Sequence, residues 1–203
     1  MNMPFSLPFT APKPMTTARL APPLIVIDAA VAHADHFRNA TLDQAHVLIL
    51  DPQQDGIMQI SEALLLHQGV HHLYIVAQGE PGCVYLGNTE LSANTLDRYA
   101  LHLMTWLLPN VPLSIIPVIA LYGGSVAAGS KGQQFLQYLQ LLTGSAIAAA
   151  TRPLGAAHLG GMADLDVFFT SFHHGKTAMS CPTVPPLLPE LTFAIATYPD
   201  SLL

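Results

Sequence analysis

Five short aliphatic runs, set apart along the chain, restrict the fold more than any other feature of this sequence. They are Leu24–Asp28, His46–Asp51, His72–Ala77 before Gln78-Gly79, Ser114–Tyr122 before Gly123-Gly124, and Ser145–Ala150. Short runs without polar alternation, ended by Gly, Asp or Pro, are characteristic of strands covered on both faces. The segments between them carry a helical period instead. Ile57, Ile60, Ala63 and Leu64 recur at helical spacing before Gly69. Thr95–Leu108 lines up Leu96, Tyr99, Leu103, Trp106 and Leu107, with Asn94 as the expected N-cap. Gly132–Leu142 lines up Phe135, Leu136, Leu139 and Leu142, with Gly144 as the stop. Strand alternating with helix predicts an α/β three-layer sandwich with a mainly parallel central sheet and right-handed crossovers. Gly87-Asn88, inside Val84–Leu91, predicts one small β-hairpin insertion.

The chain has 203 residues, enough for one ordinary domain with extensions. We expect an extended Pro-rich leader over residues 1–23, with prolines at 4, 8, 12, 14, 22 and 23, an α/β domain over 24–168, and an irregular tail over 169–203 in which 192–197 adds a late strand. Hydrophobic residues make up 51% and charged ones 10%, which excludes a disordered chain. Thirteen acids against seven scattered Lys and Arg give −6 and argue against nucleic-acid binding. So few charges invite a membrane reading. The longest uncharged stretch, however, is interrupted by Pro109, Pro112 and Pro117 and ended by Gly123-Gly124, and the next carries Gln133, Gln134, Gln137 and Gln140. No membrane span is expected. The leader lacks a basic region followed by an unbroken apolar core, so it does not read as a secretory signal.

In an open parallel sheet, sites form beyond the carboxyl ends of the strands. Those ends are Asp28, Asp51, Gln78-Gly79 and Gly123-Gly124-Ser125. If the third and fourth strands are neighbours, their two Gly-containing tips lie side by side. Val47–Gly56, Ile75–Gly82, Leu86–Thr89 and Leu121–Gly129, followed by Leu141–Ser145 and Leu159–Gly161, resemble in order and spacing the bacterial family catalogued as domain of unknown function 4347. The resemblance covers about residues 24 to 168. It implies a sheet similar to that of caspase-like cysteine peptidases, and a setting near the N-terminus of long secreted proteins bearing adhesin-like or calcium-binding repeats. That setting suggests an extracellular or cell-surface location. The family pattern is Ser-His-Gly at the first tip and Tyr-Gly-Cys at the second. Here Ala77-Gln78-Gly79 and Tyr122-Gly123-Gly124 stand in those places, so both members of the implied dyad are missing.

Thiol proteolysis needs a thiolate and a group that accepts and returns a proton. A carboxamide such as Gln78 hydrogen-bonds but is no base near neutral pH, and Gly124 has no side chain. The expectation is therefore a non-catalytic pseudopeptidase domain, serving as an interaction or structural module with a protein partner. Two rivals stand beside it. One is an active hydrolase with a relocated dyad, Cys83 with His71, His72 or His158. The other is a decaying remnant of a larger surface protein, with Pro117 interrupting an interior strand.

The remaining candidates read as structural. Ser125 beside Gly124 has no base placed for it, and Cys83 has no neighbouring cation to lower its pKa; Cys181 reads as a bystander. The close histidine pairs, His33/His36, His71/His72 and His173/His174, do not sit at zinc-hydrolase spacing. Strand alternation is expected to send His71 and His72 to opposite faces. Asp51 and Asp55 fit a cation loop and a turn at a helix start equally well. Gly123–Gly129 reads as a packing turn rather than an anion site. No cofactor or metal is expected.

Overall fold

A computed structural model describes residues 21–31, 45–107, 115–155 and 164–170, together with the backbone of a strand at 201–202. The expected runs become strands β1 (Leu24–Ile27), β2 (His46–Ile49), β3 (His72–Val76), β7 (Val118–Tyr122) and β8 (Ala146–Ala149). With β10 (Val167–Phe169) they form one six-stranded sheet in the order β10-β8-β7-β3-β1-β2. Every pairing is parallel except that of β10 with β8. β1, β3, β7 and β8 are buried along their whole length apart from half-buried His72, which is why they read as uninterrupted apolar runs.

Three helices cross between strands: α1 (Gly56–Leu66), α2 (Leu96–Leu103) and α3 (Gly129–Thr143). Their apolar stripes, Ile57/Ile60/Leu64, Leu96/Tyr99/Leu103 and Phe135/Leu136/Leu139, all join the core on one face of the sheet with Val26, Ile75, Leu121 and Ala149. The alternate strand residues Ile25, Ile27, Tyr74, Val76, Ala120 and Tyr122 form a second buried cluster on the opposite face, with Val31 and Leu154. All the helices among the described residues lie on the first face, so among the described residues the sandwich shows two of its three expected layers.

The local signals act as expected, with instructive exceptions. Asp55 caps α1: its carboxylate accepts from the backbone N–H groups of Ile57 (2.9 Å) and Met58 (3.2 Å). Gly144, in the left-handed region at φ 63°, ends α3. Asn94 is not the cap of α2. Thr95 stands there, and its hydroxyl is drawn away to the hairpin, donating to the Glu90 carbonyl (2.8 Å). Trp106 and Leu107 lie beyond α2 yet pack into the helix-side core, and the Trp106 indole N–H donates to Ser61 on α1 (2.9 Å).

Pro117 does not interrupt a strand. It immediately precedes β7, and its carbonyl accepts from Ala146 N (2.8 Å), so this support for a decaying fold is lost. Two described strands bear on the chain beyond residue 168. β10 crosses the 168/169 boundary, and β11 (Ser201–Leu202), inside the supposed tail, pairs with β9 (Leu154–Gly155). At the other end the Pro23 carbonyl accepts from His46 N (2.8 Å), the flanking bond of the first pair of the ladder, Leu24 with His46. Residues 192–197 and 1–20 lie outside the described residues. Among the described residues, no helix is long and apolar enough to cross a membrane.

The hairpin is larger than expected. β4 (Gly79–Glu80), β5 (Cys83–Leu86) and β6 (Thr89–Ser92) form a three-stranded antiparallel sheet along the carboxyl edge of the main one. Its inner residues Val84, Leu86 and Leu91 enter the helix-side core. At its turn, Gly87 adopts φ 59°, and a Cβ there would lie 2.3 Å from the Gln54 carbonyl oxygen. The buried Asp28 carboxylate, at the end of β1, accepts from the N–H of Gly87 (2.6 Å) and of Ala30 (2.8 Å). One chain reversal is thereby locked to the ends of both β1 and β2.

Candidate functional site

β3 and β7 are neighbours, with Val76 opposite Tyr122, so the tips that follow them must meet. They do so through backbone. Ala77 N–H donates to the Tyr122 carbonyl at 3.0 Å. A Cβ on Gly123 would lie 3.0 Å from the Ala77 oxygen; one on Gly79 would lie 2.7 Å from Val126 Cγ2 and 3.1 Å from the Gly123 oxygen. A Cβ at position 79 would force its neighbours to move, and one at position 123 would be tightly fitted. Gln78 is exposed, and its carbonyl accepts from Tyr85 N (3.0 Å), fixing the first tip to the hairpin. Gly124 is buried in the left-handed region at φ 43°.

The second tip continues as a packing turn. Val126 and Ala127 are fully buried. The N–H groups of Val126, Ala127 and Ala128 go to the carbonyls of Gly123 (3.3 Å), Ala150 (2.9 Å) and Ser125 (2.8 Å). Those amides are therefore not free to cradle an anion. Ser125 is half-buried, and no described histidine stands at this end of the sheet.

Cys83 opens β5, flanked across the small sheet by Glu80 and Ser92. Burial, then the Glu90 and Glu80 carboxylates, push its thiol up to about 12, so it is protonated at neutral pH. The histidines proposed for it lie elsewhere. His72 begins β3 and His71 precedes it, whereas Cys83 follows that strand's far end, about 13 Å of extended chain away. The structure does not bring Cys83 together with His71 or His72; His158, His173, His174, His33, His36 and Cys181 lie outside the described residues.

One expectation about these histidines is corrected. Strand alternation does not separate His71 from His72, because His71 lies before the strand starts; their rings are tilted at a centroid distance of 4.0 Å. His71 Nδ1 is buried without a partner. Burial and the neighbouring His71 lower the His72 pKa to about 4. His46 stacks on His67 at 3.9 Å, and burial followed by that neighbour lowers its pKa too. Among the described residues, no group of three His, Cys, Asp or Glu is arranged to hold a metal ion.

Asp51 and Asp55 serve the turn at the start of α1. Asp51 accepts from Gln53 N (2.9 Å) and Gln54 Nε2 (2.7 Å), while Asp55, besides capping α1, accepts from the Tyr99 hydroxyl (2.6 Å).

Sequence reasoning passed over the outward face of the hairpin. Strand alternation sends Val84, Leu86 and Leu91 to the core and therefore Glu80, Cys83, Tyr85, Glu90 and Ser92 to the other side. Tyr85 hydroxyl donates to the Glu80 carboxylate. The period of two along Cys83–Leu86 and Thr89–Ser92 was the signal that could have found this face.

A mainly parallel sheet, with two abutting glycine-containing loops at its carboxyl edge and a hairpin laid along them, defines an open α/β domain of the kind that places sites at that edge. A family model described as Domain of unknown function (DUF4347) matches residues 24–183, and the chain belongs to that family. No curated protein and no solved structure matches it.

Proposed function

We propose that this chain is a catalytically silent, caspase-like domain that works as an interaction or structural module, related to N-terminal domains of secreted bacterial proteins with adhesin-like repeats. The observation that carries this reading is the contact of the two tips. The places where a peptidase of that kind would hold its base and nucleophile are side by side, and they present an exposed carboxamide, Gln78, and a bare backbone, Gly124.

Removing either partner of a nucleophile–base pair costs several orders of magnitude in rate, and here neither is present. The nearby alternatives do not replace them. Cys83 is buried and protonated, and Ser125 has no described base. Loops shaped for substrate approach can still hold a polypeptide once turnover is lost, because recognition and bond cleavage use different groups.

The test is incubation of the purified protein with a mixed peptide library and, separately, with an electrophilic thiol probe at neutral pH. No cleavage, and no labelling of Cys83 without denaturant, are expected. Turnover that disappears on Cys83→Ala or Ser125→Ala would overturn the reading.

A further inference from the structure

The outward face of the hairpin meets the first turn of α3 in a cleft of about 370 Å³ that the silent tips do not use. Exposed carboxylates, Glu80 and Glu90, stand on its rim. Its floor is Cys83 and Ser92, 7% and 6% exposed. The Ser92 hydroxyl is buried there with no hydrogen-bond partner. A buried unmade hydrogen bond is unfavourable by about 1–3 kcal/mol, so a native one calls for a partner. Ser92 N–H and C=O are already occupied by Thr95 Oγ1, at 2.9 and 3.2 Å, so its hydroxyl, in the lining of the cleft, is the polar group of this residue left without a partner.

We propose that this cleft receives an arginine side chain from a partner protein. The acceptors lie on different strands: Glu80 on β4, Glu90 and Ser92 on β6, with β5 between them. Two strand spacings separate the outer pair, about 9.5 Å of backbone. A planar guanidinium offers five N–H donors in a fixed fork and so serves acceptors on two strands at once, where an ammonium presents a single point charge. Cys83 between them is a neutral floor, so nothing on the floor repels a cation. Among the lining residues only Lys131 is cationic, against two carboxylates. The chain as a whole carries −6, which favours approach of a basic segment. Cys83, Glu80 and Glu90 are not arranged as a three-ligand metal site, which directs the choice to an organic cation.

The experiment is an amide-resolved NMR titration of the full chain with acetyl-Gly-Arg-Gly-amide, repeated with the lysine and citrulline counterparts and with calcium or zinc alone. The arginine peptide should shift the Cys83 and Ser92 amides. Citrulline, with the same shape and no charge, should bind at least about tenfold more weakly. Glu90→Gln, at an exposed position that leaves the fold intact, should weaken the arginine peptide about tenfold, and Ser92→Ala about threefold. Equal binding of citrulline, shifts elsewhere, no loss in Glu90→Gln, or the same shifts from a metal alone would overturn the proposal. Because the readout is binding, it stands or falls separately from the catalytic silence of the tips.

Discussion

The two ends of the central sheet differ in a way that reverses the usual search for chemistry. The carboxyl edge, where open α/β sheets place their sites, holds glycines and a carboxamide in tight backbone contact. The amino edge, where sites are not expected, holds His46, His67, His71 and His72 in two close pairs. Side-chain type alone would direct attention to the histidines. Their setting argues against that. Burial lowers the pKa of His46, His71 and His72, and among the described residues neither a nucleophile nor a metal set accompanies these rings. The other edge has the position at which such sheets place sites, and its two abutting tips carry Gln78 and Gly124 rather than an imidazole or a thiol. Position in the topology and residue chemistry are separate requirements, and here each edge meets only one.

Four measurements bear on this difference between the edges. If the carboxyl edge is locked by backbone contact, filling a glycine there should be severe. A Cβ on Gly132 would lie 2.4 Å from the Ala127 carbonyl carbon and 2.5 Å from the Val126 oxygen. Gly132→Ala should therefore destabilise by about 3 kcal/mol despite its better helix propensity, read as a lowered denaturation midpoint. A neutral result would mean that the second tip is loose.

Next comes the clamp between β1 and the hairpin. Asp28→Ala leaves the Gly87 and Ala30 N–H groups without their acceptor and should cost about 2 kcal/mol. Equal stability would show that the hairpin is held by its apolar face alone.

The amino edge should reveal itself through pH. His72 is protonated near 4 when folded and near 6.5 when unfolded. Its depressed value means that stability is complete above about pH 6.5, declines as pH falls through that interval and levels off below it. His46 and His71 are shifted in the same direction. His72 keeps some solvent contact, so its share is about 1 kcal/mol, and His72→Gln should flatten the denaturation midpoint between pH 7 and 5 by that amount. An unchanged slope would place the histidines in water.

The smallest effect belongs to Gln78. Its side chain is exposed, so Gln78→Ala should change stability by less than about 0.5 kcal/mol. A larger loss would show that the carboxamide is structural, and the tip could then not be regarded as an emptied site.

The strands were legible because burial on both faces writes them as apolar runs, and the helices because one face repeats every three to four residues. The helix caps were less so. Asn94 and Thr95 are equally acceptable locally, and the choice fell to a contact with Glu90, five residues away on another strand. The tips were located by their order along the chain, and the pairing of β3 with β7 then placed them together. The cleft was invisible because Glu80, Cys83, Glu90, Ser92 and Lys131 form no motif. They belong to four different elements, and an orphaned hydroxyl is a property of surroundings, not of a serine codon.

Read by itself, the order of the 203 residues tells which segments are buried and which residues stand at the strand ends, since apolar periodicity and the Gln78 and Gly124 positions are properties of the chain as written. The tertiary structure decided which loops meet, which histidines pair, and whether Cys83 is reactive. Those outcomes depend on distances between groups far apart in the chain and on the removal of water around them, and neither quantity is carried by a residue's own identity.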